Sequence, residues 1–205
     1  MTNLYHFTHQ SNLESILASG GLLCDSAMAA QRHAVVGNRD IKGRRAHLDV
    51  TVAPHGVVAD YVPFYFAPRS PMLYVIHKGT VPACEYPQNE VIYLCTTVED
   101  VVAVCDYCYT DRNAALYLAE FYKDISHIHV NVDMPLMSEE YWNNTPEDLD
   151  RMERRMAEFL VHRFFPWNLV KGIGVYGDDN LEYVQGVLAK HGQAVPTKKL
   201  RHWYF

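Results

Sequence analysis

Leu4-Tyr5-His6-Phe7-Thr8-His9-Gln10-Ser11-Asn12-Leu13-Glu14-Ser15-Ile16-Leu17-Ala18-Ser19-Gly20-Gly21 is the stretch on which the fold class turns. The apolar run Leu4 to Thr8 reads as a buried strand. It passes straight into a helix: Ser11 and Glu14 have the spacing of a capping box, Leu13, Ile16 and Leu17 make one apolar face, and Gly20-Gly21 supplies the stop. No glycine-rich turn separates strand from helix, which counts against a Rossmann or P-loop fold. Beyond it, Cys24 to His55 is basic, rich in small residues and without clear periodicity, and is expected to be a binding loop. Tyr61-Val62-Pro63-Phe64-Tyr65-Phe66 predicts a strand, with Pro63 placing it at an edge or a bulge. Ser70-Pro71 predicts a helix start with an N-cap and a proline at the first position. Strands are expected at Val91 to Cys95, His127 to Val132, Phe159 to His162 and Gly172 to Tyr176. One helix should follow Thr145-Pro146, with Leu149, Met152 and Met156 on one face. Another should start at an Asp179/Glu182 capping box, turn Leu181, Val184 and Leu188 inward, and end at Gly192. Strands and helices interleave without regular βαβ spacing, so the fold class is α+β. No repeat or linker-like stretch breaks the chain, and residues 1–205 are expected to form a single domain.

The bulk numbers narrow the function classes. Of 205 residues, 49% are hydrophobic and 20% charged, an ordinary globular balance. No apolar run approaches the roughly 18 residues that span a bilayer, and Met1-Thr2-Asn3-Leu4-Tyr5 lacks the basic-then-apolar start of a signal peptide. A cytoplasmic protein with no membrane partner is expected. The five cysteines are an odd number, and Cys24, Cys84 and Cys95 sit singly among apolar or small neighbours, as reduced thiols do. A net charge of -6 weighs against nucleic-acid binding, because Lys and Arg neutralise phosphate. The basic residues are nonetheless grouped: Arg32, Arg39, Lys42, Arg44 and Arg45; Arg151, Arg154, Arg155 and Arg163; Lys198, Lys199 and Arg201. Solvated surface faces would look the same.

Short motifs for metal or nucleophile chemistry are missing. Cys105-Asp106-Tyr107-Cys108 lacks the second pair or spaced histidine of a zinc site, and reads as two small hydrophobes near a turn. The eleven histidines form no H-E-x-x-H or H-x-E pattern, and there is no G-x-S-x-G elbow. Metal-free chemistry is expected. Three residues draw attention on physical grounds. Alternation puts His6 and Thr8 on one strand face, where both could bond one ligand edge, although a lone core histidine satisfied by backbone is the commoner case. Glu158 lies inside the apolar run Ala157-Glu158-Phe159-Leu160-Val161, where a charge needs a partner or a task, unless alternation simply turns it to solvent.

Four segments, taken together and in order, resemble the DarT family of DNA ADP-ribosyltransferase toxins: Tyr5-His6-Phe7-Thr8; Ile41-Lys42-Gly43-Arg44-Arg45; Asp60 through Tyr74, including Phe64-Tyr65-Phe66-Ala67-Pro68-Arg69; and Ala157 to Val161. The likeness runs from Tyr5 to the Trp203-Tyr204 end. It implies an ADP-ribosyltransferase fold of the poly-ADP-ribose polymerase type, with NAD+ as co-substrate in a cleft between two sheet halves. It assigns His6, Phe7, Thr8, Ser15, Leu23 and Arg45 to NAD+ binding, and Glu158 and Arg45 to catalysis. A carboxylate on the ribose hydroxyl strengthens its contact as positive charge develops in an oxocarbenium-like transition state, as in glycoside hydrolysis. Arg45 stays protonated, so holding the diphosphate or a base carbonyl suits it better than taking a proton. The implied substrate is thymine in single-stranded DNA, and the implied partner is a macrodomain-type antitoxin. Guanine- or RNA-directed transfer, or a non-catalytic ADP-ribose or nucleic-acid binding module, are the competing readings. The stretch from about Tyr109 to Met156 corresponds to the substrate-contacting region, where Tyr109, Tyr117, Tyr122, Tyr141 and Trp142 are candidates to stack on bases.

Overall fold

The computed structural model describes residues 1–28, 34, 39–80 and 86–205; Arg32 and Cys84 lie outside them, as does the side chain of Arg39. The strands, in chain order, are β1 (Asn3–His9), β2 (Gly21–Leu23), β3 (Tyr61–Tyr65), β4 (Val91–Thr97) and β5 (Tyr107–Thr110). They continue with β6 (Phe121–Tyr122), β7 (Glu158–His162), β8 (Phe164–Pro166), β9 (Gly172–Val175) and β10 (Thr197–Lys199). Eight of them form one sheet in the order β10-β9-β4-β1-β3-β7-β5-β6, and β2 pairs with β8 apart from it. Only β10–β9 is parallel; the other pairs run antiparallel.

The long sheet is two halves joined at one point. β1 pairs with β4 along its whole length, from Asn3↔Thr97 to His9↔Val91, and β3 pairs with β7 from Tyr61↔His162 to Tyr65↔Glu158. Between β1 and β3 there is a single register pair, Tyr5↔Tyr65. Pro63 explains the break: it has no N–H to give, and its carbonyl instead accepts a bond from His6 Nδ1 at 2.8 Å. The sequence placed this strand at an edge or a bulge. β3 is interior in strand order, yet its flank toward β1 is unladdered at Pro63, which is the condition proline needs. Leu4, Phe64, Leu94, Phe159, Val161, Ile173 and Val184 share the main buried cluster, which spans both halves.

Gly20 (φ +73) ends the helix Leu13–Ala18 as expected. Gly21 does something the sequence did not show: a Cβ there would stand 2.1 Å from the Phe165 carbonyl oxygen, so only glycine lets β2 close on β8. Other local expectations need correction. The Ser11/Glu14 box does not form. His9 caps a 3-10 turn (Gln10–Asn12) by accepting the Ser11 N–H, while Glu14 pairs with Lys190. Residues His127 to Val132 are not a strand but the end of the 3-10 turn Ile125–His127 and the helix Ile128–Asn131. Ile128 and Val132 are buried with Val130 exposed, a helical period that short alternation disguises. After Thr145-Pro146 only Arg151–Arg154 is helical, and Leu149 and Met152 face solvent, because Thr145 and Asp148 close a turn on each other. The Cys24 to His55 stretch is not without regular structure: it holds the helices Asp25–Met28 and Arg39–Arg45. The helix Pro71–His77 starts where expected, with Ser70 Oγ accepting the Leu73 N–H at 3.2 Å. The helix Asp178–Lys190 buries Val184 and Leu188, but its cap is Asn180 Oδ1 accepting the Gly177 N–H rather than an Asp179/Glu182 box.

Candidate active site

Where β1 and β3 part, a cleft opens that is lined by His6, Phe7, Thr8, Val62, Pro63 and Tyr65. The helix Leu13–Ala18 adds Ser15, β2 adds Leu23, and the basic segment adds Lys42 and Arg45. Each residue that the resemblance assigned to cofactor binding thus lies on one cleft. His6 Nδ1 donates to the Pro63 carbonyl, which fixes the tautomer and leaves Nε2 as an acceptor. Burial pulls its pKa below the ordinary histidine value, although the Pro63 carbonyl works the other way, so the ring is neutral at neutral pH. Phe7 stacks on Tyr65 with ring centroids 5.7 Å apart, giving the cleft an aromatic wall. Thr8 Oγ1 is occupied by Asn12, whose Nδ2 donates to it at 3.0 Å. Asn12 also exchanges bonds of 2.8 Å with both the N–H and the carbonyl of Ala34, and its own carbonyl accepts Ser15 Oγ. It therefore ties the basic segment to the cleft rim. Asn12 carries little signal in the sequence, being one small polar residue between strand and helix.

Glu158 opens β7 opposite Tyr65 and is 1% exposed, so strand alternation does not turn it to solvent. A buried carboxylate needs compensation. Arg45 Nη1 donates to Glu158 Oε2 at 2.9 Å and to Oε1 at 3.0 Å, and the Ala114 N–H donates to Oε1 at 3.0 Å. Arg45 is itself buried, whereas its neighbour Arg44 is exposed. Burial works against the Arg45 charge, but the Glu158 carboxylate outweighs it and raises the guanidinium pKa above its ordinary value. Burial, followed by the Glu158 charge, likewise raises the Tyr65 hydroxyl, keeping it protonated. Arg45 Nη2 is buried and has no hydrogen-bond partner among the described residues. An unpartnered guanidinium nitrogen on a residue lining a cleft fits an anionic or carbonyl ligand there.

The basic cluster Arg151, Arg154 and Arg155 is committed internally. Arg154 pairs with Asp133, Asp148 and Asp150, and Arg151 with Glu139. Arg155 is buried and donates to the carbonyls of Leu136, Glu139 and Arg69. Burial, together with the Arg69 charge, lowers its pKa to about 10, so it stays charged at neutral pH. Arg155→Met should therefore destabilise the fold, because three carbonyls lose a charged donor. A cost of about 3 kcal/mol would lower the melting temperature by about 6–12 °C. Strand affinity of the folded variant should not change; a loss of affinity with an unchanged melting temperature would put Arg155 on the polymer's path.

Among the aromatic candidates, Tyr109 and Trp142 are buried and Tyr122 stacks on Tyr109. Tyr117 and Tyr141 are the exposed ones, at 96% and 74%. Burial pushes the Cys108 thiol up to about 12 and also raises Cys105, as suits inert reduced side chains. Among the described residues, no three His, Cys, Asp or Glu side chains are grouped to hold a metal, and no helix is long and apolar enough to cross a membrane.

Comparison with known proteins bears on this geometry. Residues 5–205 match the family model described as ssDNA thymidine ADP-ribosyltransferase, DarT. A DNA ADP-ribosyl transferase of Thermus aquaticus is 36% identical over 208 residues, covering all of this chain and 89% of the relative. The structure of Thermus sp. 2.9 DarT in complex with ADP-ribosylated ssDNA superposes with a TM-score of 0.92 at 32% identity, over all of this chain and 96% of that one. The same Thermus protein in complex with NAD+ gives 0.86 at 32% identity, over all of this chain and 98% of that one. The expected α+β ADP-ribosyltransferase fold is the one observed.

Proposed function

The chain belongs to the DarT family of single-stranded DNA thymidine ADP-ribosyltransferases, and from that membership we propose that it transfers ADP-ribose from NAD+ to thymine in single-stranded DNA through Glu158 and Arg45. The observation that carries the residue assignment is the buried Arg45–Glu158 pair beside a cleft that Arg45 lines with one nitrogen unpartnered. His6, Phe7, Thr8, Ser15, Leu23 and Arg45 hold the dinucleotide. NAD+ supplies an activated ribosyl carbon, whose bond to nicotinamide breaks as its bond to the base nitrogen forms. Glu158 holds the ribose hydroxyl and takes the proton that the base nitrogen releases. Arg45, whose pKa is raised, is no base; it donates to the diphosphate or to the base carbonyl, which acidifies the adjacent ring N–H. Tyr117 and Tyr141 are the aromatic faces open to incoming bases. In a cell such a mark on DNA acts as a toxin, and a macrodomain-type antitoxin that removes it is the matching partner. The expected location is the cytoplasm.

The test compares one thymine-containing oligonucleotide, alone and annealed to its complement, over a salt series. Inside a duplex the base N–H is paired, and unpairing costs a few kcal/mol, so the single strand should react far faster. With Arg151, Arg154 and Arg155 occupied by internal partners, few phosphates are contacted. Binding should then weaken only gently with salt, with log K falling by about 0.7 per phosphate for each tenfold rise. Equal rates on both forms would refute the single-strand claim, and equal modification of a thymine-free strand would refute the choice of base.

A further inference from the structure

Glu158 is held by more than its ion pair. Its backbone N–H donates to Thr110 Oγ1 at 3.1 Å. Thr110 ends β5 and is fully buried, and its hydroxyl donates to the Arg112 carbonyl at 2.6 Å. A hydroxyl has one proton and two lone pairs, so the short bond to Arg112 leaves a lone pair for the Glu158 N–H. One side chain thus links the start of β7 to the turn that brings the Ala114 amide to the carboxylate. That turn is braced on both sides. Asn113 Oδ1 accepts the Ala115 N–H at 2.8 Å, and Asp111 accepts the Glu120 N–H at 3.0 Å and Arg112 Nε at 2.9 Å.

The two carboxylate oxygens are consequently unequal. Oε1 accepts from both Ala114 and Arg45, whereas Oε2 has only Arg45 among the described residues. We propose that Thr110 and the Ala114 amide are positioning groups that anchor Oε1 and so present Oε2 as the oxygen that meets the ribose hydroxyl. The proposal rests on Glu158 being the catalytic carboxylate. Neither group touches substrate in this account; they act through Glu158. A reacting group displaced by about 1 Å can lose about 100-fold in rate, so an effect of that order is available without any change in cofactor binding.

The experiment uses full-length Thr110→Val and Thr110→Ser, assayed with NAD+ and a thymine-containing strand and titrated with the unreactive analogue carba-NAD+. Thr110→Val keeps the shape and deletes the hydroxyl; kcat should fall by about 10- to 100-fold while KM for NAD+ and Kd for carba-NAD+ stay within about twofold. Thr110→Ser restores the hydroxyl and should return kcat to within about threefold of wild type. Wild-type turnover by Thr110→Val, an equal loss in Thr110→Ser, or a Kd that rises in step with the lost kcat would each overturn the positioning role. If Thr110→Val does not fold, Ala114→Pro removes the N–H to Oε1, with Ala114→Gly as its control, and a kcat loss confined to the proline variant is expected. Parallel behaviour of those two would overturn the role as well. Glu158→Gln, run alongside, separates the claims. Activity there withdraws the catalytic assignment itself, whereas an inactive Glu158→Gln beside an unimpaired Thr110→Val withdraws only the positioning role.

Discussion

Glu158→Gln should abolish transfer, lowering kcat by about 1,000-fold or more, while the protein remains folded. The glutamine keeps the volume and one acceptor oxygen, so the Ala114 N–H can still be satisfied. What it removes is the negative charge that responds as positive charge builds on the ribose, and one preorganised group aimed at developing charge, measured for oxyanion-hole donors, is worth about 100- to 1,000-fold. Loss of proton acceptance adds to that. The substitution also leaves the buried Arg45 without a counter-charge, and breaking one side of a buried pair costs about 3–5 kcal/mol when nothing replaces it. The variant should consequently melt earlier than wild type. Its circular dichroism spectrum should be unchanged and its affinity for carba-NAD+ retained. Near wild-type turnover in a folded variant would show that Glu158 is not the catalytic carboxylate.

Arg45→Ala should be almost as damaging, and Arg44→Ala should not. The two arginines are adjacent, but only Arg45 is buried against Glu158; Arg44 is exposed. Removing Arg45 strands a carboxylate that is 1% exposed and empties the guanidinium position beside the cleft, so activity should fall by about 100-fold or more and stability by about 3–5 kcal/mol. Arg44→Ala should change stability by no more than about 0.5 kcal/mol and activity by about threefold at most. Arg45→Lys retains the charge but has a single ammonium where the fork presents two faces, one to Glu158 and one unpartnered, and should recover little. Equal losses at the two positions would overturn the assignment of Arg45.

How much of this was legible in the sequence depended on how local each signal was. The strand-to-helix opening, the Ser70-Pro71 start and the Glu158 strand follow from patterns within a few residues, and the structure has them. His127 to Val132 failed because six residues cannot separate a period of 2 from one of 3.6 when histidines and asparagine fill the gaps. The helix expected after Thr145 starts only at Arg151 for a different reason: Thr145 and Asp148 close a turn on each other, and Asp148 and Asp150 then form an ion-pair network with Arg154 at the start of the short helix. The same network makes Arg151 and Arg154 poor candidates for a polymer, which charge clustering alone could not reveal. At the site, Glu158 stands out as a charge inside an apolar run, whereas Arg45 is named through a family resemblance alone. Their direct contact across 113 residues of chain is a product of the fold. Asn12, Thr110 and the Ala114 amide were invisible, because small polar residues and backbone groups carry no sequence signature until their partners are in place.

The most direct test of the whole account is to incubate the wild-type chain with NAD+ labelled in the adenosine moiety, together with matched DNA and RNA single strands. The strands should be made with and without thymine, or with uracil in its place. Label should appear on the thymine-containing DNA, linked to the base, with one nicotinamide released per adduct. Labelling of RNA or of thymine-free DNA at the same rate, or nicotinamide release with no adduct on any strand, would contradict it.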